Sequence, residues 1–283
     1  MKKTDLLCEE AGLDSSLVKN TKYETVDLSK VVLDEANAKR LKRDAGIYYT
    51  LLSDAIVDIN KKKYDDLIEA FSKVIREYLA LYEIKKDDLI FVVGLGNEEV
   101  TPDSLGPKVV QMIDVTSHLF RMNFEHDNMQ NVVALAPGVM SQTGLETVDV
   151  IKSISSKIHP KLVIVIDALA SISLKRLNHT IQINNASISP GAGIGNFRKK
   201  FSQKTLGCPL LAIGVPTVVD IKAIFEEALK NVDLNFEDLM PFVAEDDKIQ
   251  FMVTPKEIDM NINDLANIIA RGLNKAFHNL NYY

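Results

Sequence analysis

Leu89-Ile90-Phe91-Val92-Val93-Gly94-Leu95-Gly96-Asn97, continuing into Thr101-Pro102-Asp103-Ser104-Leu105-Gly106-Pro107, is the stretch whose reading decides the fold. Five apolar residues in succession predict a strand buried on both faces, as in a parallel sheet. Gly94, Gly96 and Asn97 each tolerate positive φ, so a sharp turn is expected after the strand. Thr101 before Pro102 has the pattern of an N-cap and a first helical residue, which predicts a helix from Pro102 to about Phe120. Asp103 then falls in the first helical turn, above the carboxyl end of a sheet strand, where open α/β sheets bind ligands. A second apolar run, Leu162-Val163-Ile164-Val165-Ile166, ends in Asp167. If the two strands are neighbours, two carboxylates meet over the sheet edge.

Outward from this centre, strands alternate with helices. Residues 131–136, 180–183 and 210–213 read as further strands. Thr143-Gly144-Leu145-Glu146 has capping-box spacing for a helix to about Ile158, and Thr217 precedes a helix to about Lys230. Apolar residues at spacings of three and four predict helices over 63–81 and 261–277. Upstream, residues 1–22 read as a loosely held tail, 23–33 as an edge or half-buried strand, 34–43 as a short helix and 47–52 as a strand. Residues 231–250 are acidic and irregular. The expected class is α/β: a mostly parallel sheet with helices on both faces, phosphorylase/hydrolase-like, with an N-terminal α+β extension. One peptidase-sized unit is expected over 1–283, with the extension at 6–85 and the core at 86–283.

Composition narrows the function classes. With 283 residues, 46% apolar content and 25% charged content, the chain is an ordinary globular protein. A net charge of −6 disfavours a general nucleic-acid or anionic-membrane binder. No apolar run reaches membrane-spanning length, and the N-terminus has no secretory apolar region. Cys8 and Cys208 match no metal spacing, which fits a reduced intracellular protein.

Each candidate site has a plain structural alternative. Asp103 alone could be a helix N-terminal acid favoured by the macrodipole. Asp167, directly after five buried aliphatics, needs a partner or a solvated cleft. Together they suggest paired carboxylates sharing a proton, one serving as general base on a water and the other as general acid. Such a pair could hydrolyse an amide or hold a metal. Gly191-Ala192-Gly193-Ile194-Gly195 and Gly94-Leu95-Gly96 both lack the dinucleotide spacing, so tight turns and close backbone approach are the better reading. Arg198-Lys199-Lys200 reads as a solvated cationic turn. The five histidines form no H-x-x-x-H pair, and Ser104, Ser141 and Ser171 lack a nucleophile elbow. Cys208, Met140 and Met252 read as packing residues.

At these residues the chain resembles the germination proteases, the spore endopeptidases of Bacillus- and Clostridium-type bacteria. The resemblance is carried by Val92-Val93-Gly94-Leu95-Gly96-Asn97, Val100 to Pro107, Ala136-Pro137-Gly138-Val139-Met140, Gln142-Thr143-Gly144, Ile166-Asp167-Ala168-Leu169-Ala170, Thr180 to Ile183, Thr205-Leu206-Gly207, Ile213 to Asp220 and Met252 to Glu257. The core is also similar to that of the hydrogenase-maturation peptidases, which share the glycine turn and both acids but bind a metal. The resemblance implies an atypical aspartic endopeptidase that needs no cofactor, with catalytic Asp103 and Asp167. It implies small acid-soluble, DNA-protecting spore proteins as substrates, a homotetramer, a cytoplasmic place in the forespore or spore core, and no direct contact with nucleic acid or membrane. It also implies a zymogen that trims its own propeptide, here residues 1–5. Lys3-Thr4-Asp5-Leu6 resembles the processing site, with the cut between Asp5 and Leu6. A chain beginning at Met1 is then expected in the proenzyme form.

Two family arginines are replaced here, by Ser117 and by Ile172, and the 221–250 region is shorter than in the Bacillus members. Those departures bear on specificity or assembly and not on the aspartates. Two other readings remain open from sequence: a metal-dependent maturation-type peptidase with a third ligand such as His179, and a non-catalytic nucleotide-binding module.

Overall fold

The structure, a computed structural model, describes residues 4–10, 12–56, 58, 60–122, 128–191, 199–229 and 251–278. The N-terminal extension supplies β1 (Val18–Tyr23), β2 (Val26–Leu33), α1 (Glu35–Leu41), β3 (Gly46–Leu52) and α2 (Lys61–Leu81). The core continues with β4 (Leu89–Gly94), α3 (Leu105–Met112), α4 (Ser117–Arg121), β5 (Asn131–Leu135), α5 (Met140–Thr143), α6 (Thr147–Ile158) and β6 (Leu162–Ser171). It ends with β7 (Thr180–Asn184), β8 (Ser187–Ile188), β9 (Phe201–Ser202), α7 (Gln203–Leu206), β10 (Leu210–Asp220), α8 (Ile221–Leu229), β11 (Met252–Val253) and α9 (Ile258–Phe277).

One sheet runs through the molecule in the order β1-β2-β3-β7-β10-β6-β4-β5, with β11 beside β10. Strands β10, β6, β4 and β5 are parallel neighbours. The remaining pairings of this sheet are antiparallel, so the extension is an antiparallel wing joined to a parallel core through β3 and β7. The two central strands are apolar on both faces because both faces are covered. Ile90 and Val92 of β4, with Leu162, Ile164 and Ile166 of β6, pack with residues of α2, α3 and α9. Phe91, Val93, Val163 and Val165 enter the opposite cluster with Val148 and Ile151 of α6. That alternation puts Asp167 on the α6 side of β6.

Several boundaries differ from the sequence reading. Among the described residues, the N-terminal segment is no loose tail: Leu6 and Leu7 are 0% and 1% exposed, because they meet core residues remote in sequence. The helix expected over 102–120 is broken. Thr101–Asp103 forms a 3-10 turn whose capping position is Val100, not Thr101, and α3 starts at Leu105 and stops when Ile113 turns extended. Gly144 closes α5 at φ 71°, so no helix starts at Thr143, and α6 begins at Thr147. The second-aspartate strand does not end at Ile166. Strands β6 and β10 run on together to Ser171 and Val219, past an irregularity between Pro216 and Val218. Thr217 therefore lies within β10 rather than before a helix. Met140, expected in the core, is 47% exposed. Residues 230–250 and 192–198, which include the whole acidic segment, most of the glycine-rich loop and Arg198, lie outside the described residues.

Candidate active site

Backbone contacts between glycines place Asp103. A Cβ on Gly94 would lie 2.1 Å from the Gly106 carbonyl oxygen, and one on Gly106 would lie 2.2 Å from that of Leu95. The first turn of α3 thus rests directly on the end of β4. Of the three turn residues, Gly96 has the positive φ, 116°, while Gly94 is required for close approach. A Cβ on Gly96 would fall 1.9 Å from the Asp103 carbonyl oxygen. In this fold-back, Asn97 N–H donates to Asp103 Oδ2 at 2.8 Å, and Asp103 N–H donates to the Val100 carbonyl at 2.8 Å. Asn97 Oδ1 accepts from Gln142 Nε2 at 2.7 Å, tying the turn to α5.

Asp167 arrives from the sheet. It is 4% exposed, and its Oδ1 accepts the Ala168 N–H at 3.0 Å. Its neighbour across the parallel pairing is Gly214 of β10. A Cβ there would strike Leu169 Cδ1 at 2.3 Å, so Leu169 folds over a strand position that must lack a side chain. Asp103 and Asp167 line the same cleft of about 340 Å³, with Leu95, Val139 and Phe201 among its apolar walls. Two carboxylates, one from the 3-10 turn after β4 and one from within β6, are therefore brought to one mostly apolar concavity, a common form of active site.

A third carboxylate lines that cleft. Asp5 pairs with the far end of β6: its N–H donates to the Ala170 carbonyl at 3.2 Å, and Ala170 N–H donates to its Oδ2 at 2.9 Å. Gln182 Nε2 donates to the Asp5 carbonyl at 3.2 Å, and Gln182 Oε1 accepts from Leu7 N–H at 2.7 Å. The Arg43 guanidinium donates to the Thr4 carbonyl at 2.7 Å and the Asp5 carbonyl at 3.4 Å. Leu6 is wholly buried beside this ladder. No local chemical pattern marks the role of Arg43 or of Gln182, although Gln182 falls in the family-like string Thr180 to Ile183, since their partners are 39 and 177 residues away.

The other candidates fall elsewhere. His179 does not join the two aspartates: its Nδ1 lies 2.6 Å from the Leu177 carbonyl and its Nε2 faces Asp54 at 3.9 Å. Among the described residues, no group of three or more His, Cys, Asp or Glu side chains is gathered as a metal site. Ser104 donates to the Thr101 carbonyl and Ser171 to Glu9, so both hydroxyls are used structurally. Burial pushes the Cys208 thiol up, the opposite of an activated nucleophile. Lys199 pairs with Asp149 at 2.6 Å and Lys200 with Asp44. Ser117 is buried, and Ile172 packs against the Leu177, Val219 and Ala223 cluster.

A family profile described as germination protease matches residues 2–240 and 239–281. The germination protease of Bacillus cytotoxicus is 37% identical over 325 aligned positions, covering 95% of this chain and 89% of that protein. The corresponding proteins of Priestia megaterium and Halalkalibacterium halodurans are 36% and 38% identical, covering 95% and 92% of this chain and 88% and 85% of their own lengths. Among solved structures, the chain is similar to the [NiFe] hydrogenase maturation protease HycI of Thermococcus kodakarensis KOD1. That likeness has 16% identity and a TM-score of 0.33, over 69% of this chain and 98% of that one.

Proposed function

The chain belongs to the germination protease family, and on that premise we propose that it is an aspartic-type endopeptidase in which Asp103 and Asp167 activate a water against a peptide carbonyl. The carrying observation is that both carboxylates line one apolar-walled cleft. Two carboxylates in such a site share a proton, so the pair titrates as a unit. The ionised member takes a proton from water as the oxygen attacks the scissile carbon. The protonated member gives its proton to the carbonyl oxygen, forming a neutral gem-diol. Proton return to the nitrogen breaks the C–N bond and releases an acid and an amine.

The substrates of this reading are small acid-soluble, DNA-protecting proteins, cut in the spore core at germination. A negatively charged peptidase approaches such proteins without itself holding DNA. No helix among the described residues is long and apolar enough to cross a membrane. The working unit is a single peptidase body in which residues 6–85 extend the core at 86–283, assembled as a homotetramer without a cofactor. Residues 1–5 act as a propeptide cut between Asp5 and Leu6. Support for this comes from Asp5, which lines the cleft with both aspartates.

The test is cleavage of a purified small acid-soluble spore protein by the wild type, Asp103→Asn and Asp167→Asn, each with and without a chelator. Mass spectrometry follows the N-terminus in the same tubes. The expected result is chelator-resistant cleavage by the wild type, background turnover in both variants, and an uncut Asp5–Leu6 bond in both. Turnover retained in both variants would sink the two-aspartate reading, and cleavage abolished by the chelator would replace it with a metal-dependent peptidase.

A further inference from the structure

Part of the chain itself, Asp5 of the N-terminal segment, lines the cleft that Asp103 and Asp167 share. Residues 4–7 are gripped largely through main-chain atoms. Arg43 donates to the carbonyls of Thr4 and Asp5, Gln182 donates to the Asp5 carbonyl and accepts from Leu7 N–H, and Ala170 exchanges bonds with Asp5. Amides and carbonyls are common to every peptide, so a grip on them would hold any chain that follows the same bent path into the turn at Leu7. Arg43 is itself fixed by Glu10, 2.6 Å away, and Gln182 is 4% exposed within the sheet. Both donors are therefore preorganised, which limits the ordering cost of binding.

Resting on the two-aspartate reading of the cleft, we infer that Arg43 and Gln182 are positioning residues that hold the main chain of a protein substrate beside the aspartates. Asp5 adjoins Asp167 through β6, because its partner Ala170 lies three residues beyond that aspartate in the same strand. A second cleft, about 320 Å³, shares Asp5 and Leu169 with the first. Thr4, Arg43 and Gln182 line it. The grip therefore sits where the two concavities meet, and a longer substrate has a polar path on one side and the aspartates on the other.

Cleavage after Asp5 would empty this grip. The new α-ammonium on Leu6 would lie at a position with 0% exposure among apolar side chains, where an unpaired charge is strongly disfavoured. Leu6 would have to withdraw toward water, and residues 1–5, no longer tied to the chain, would dissociate from Arg43, Gln182 and Ala170. The same contacts would then be open to a substrate.

The test uses the self-processed full chain acting on a small acid-soluble spore protein, comparing the wild type with Arg43→Lys and Gln182→Met. Lysine keeps a charge beside Glu10 but loses the fork that reaches two carbonyls, and methionine keeps the size of Gln182 without its donor. The expected result is a KM raised about tenfold in each with kcat within about twofold, the signature of lost binding shared by ground and transition states. An unchanged KM in both overturns the inference. A second arm needs no protein variant. The pentapeptide Met-Lys-Lys-Thr-Asp is tested as an inhibitor of the wild type beside an analogue whose Thr-Asp amide is replaced by an E-alkene. The analogue lacks the carbonyl that Arg43 reaches and the N–H that Ala170 accepts, and is expected to inhibit at least tenfold more weakly. Equal inhibition overturns the grip. A wild type that cleaves no spore protein would fail the proposed function instead, so the two failures are distinguishable.

Discussion

Gly106→Ala separates the backbone contact that seats Asp103 from ordinary glycine effects. In a free helix the change would favour folding by about 1 kcal/mol, because alanine is the better helix former. Here the added Cβ would lie 2.2 Å from Leu95 O, 2.5 Å from Leu95 N and 2.7 Å from Gly94 C. Contacts below 3.0 Å are essentially never made by a real Cβ, and these obstacles are backbone that cannot swing aside. To restore ordinary contact at 3.4 Å, α3 or the turn must move by about 3.4 − 2.2 = 1.2 Å. Overpacking of this kind costs about 1–3 kcal/mol or more. A displacement of about 1 Å at a catalytic group costs on the order of 100-fold in rate. Gly144→Ala is the control. Gly144 sits at positive φ with nothing within 4 Å of where a Cβ would stand, so only strain of about 1–2 kcal/mol is expected. The assay pairs thermal melting with turnover of a spore protein. Both variants should melt a few degrees lower, and only Gly106→Ala should lose about two orders of magnitude in kcat. Equal activity in the two variants would refute the claim that this contact positions Asp103.

Stability should fall in mild acid through His278. Burial pushes its imidazole below the ordinary value of about 6.5, against an opposing influence from Asp114, and its Nδ1 accepts Gln130 N–H at 3.2 Å, which requires the neutral ring. The unfolded state therefore binds the proton first. The stabilisation is complete above about pH 6.5 and declines below it with a slope of at most about 1.4 kcal/mol per pH unit. His278→Gln should flatten the urea-denaturation profile between pH 5 and 7, and an unaltered profile would contradict this. Burial pushes the Cys8 thiol up, with Arg176 opposing, so iodoacetamide at pH 8 should alkylate Cys8 more slowly than a free thiol. Once the Asp5–Leu6 bond is cut and Leu6 withdraws, the Cys8 rate should rise while that of Cys208 stays constant, and peptide mapping would detect the absence of such a change. Phe71, 0% exposed, lies against Gly272 of α9, where a Cβ would sit 2.4 Å from its ring. Phe71→Ala should cost about 3–5 kcal/mol by denaturant titration, and a loss below about 1 kcal/mol would show that α2 and α9 close over the gap.

What could be read from sequence was what depends on neighbours in the chain. The apolar runs of β4 and β6 identified buried strands, since only a strand covered on both faces tolerates five aliphatics together. The three-and-four spacing identified α2 and α9, and Gly96 marked the turn before Asp103. These patterns, with the strings that resemble the germination proteases, were enough to single out both aspartates. Boundaries failed where a local signal lost to a long-range contact. Thr101 has capping chemistry, yet packing of Gly106 on Gly94 makes the chain take a 3-10 turn first. Ile166 resembles a strand end only until β10 pairs with β6 as far as Ser171. The polar run of β1 and the short apolar pair Leu6-Leu7 carry too little periodicity to foretell a strand or a docked segment. Tertiary structure alone decided that Asp103 and Asp167 share a cleft, that His179 turns to Asp54, and that Arg43 and Gln182 meet residues 4–7. The physical reason is the same in each case: a side chain's local preference is worth about 1 kcal/mol or less, and the pairing of a sheet or the filling of a core outweighs it.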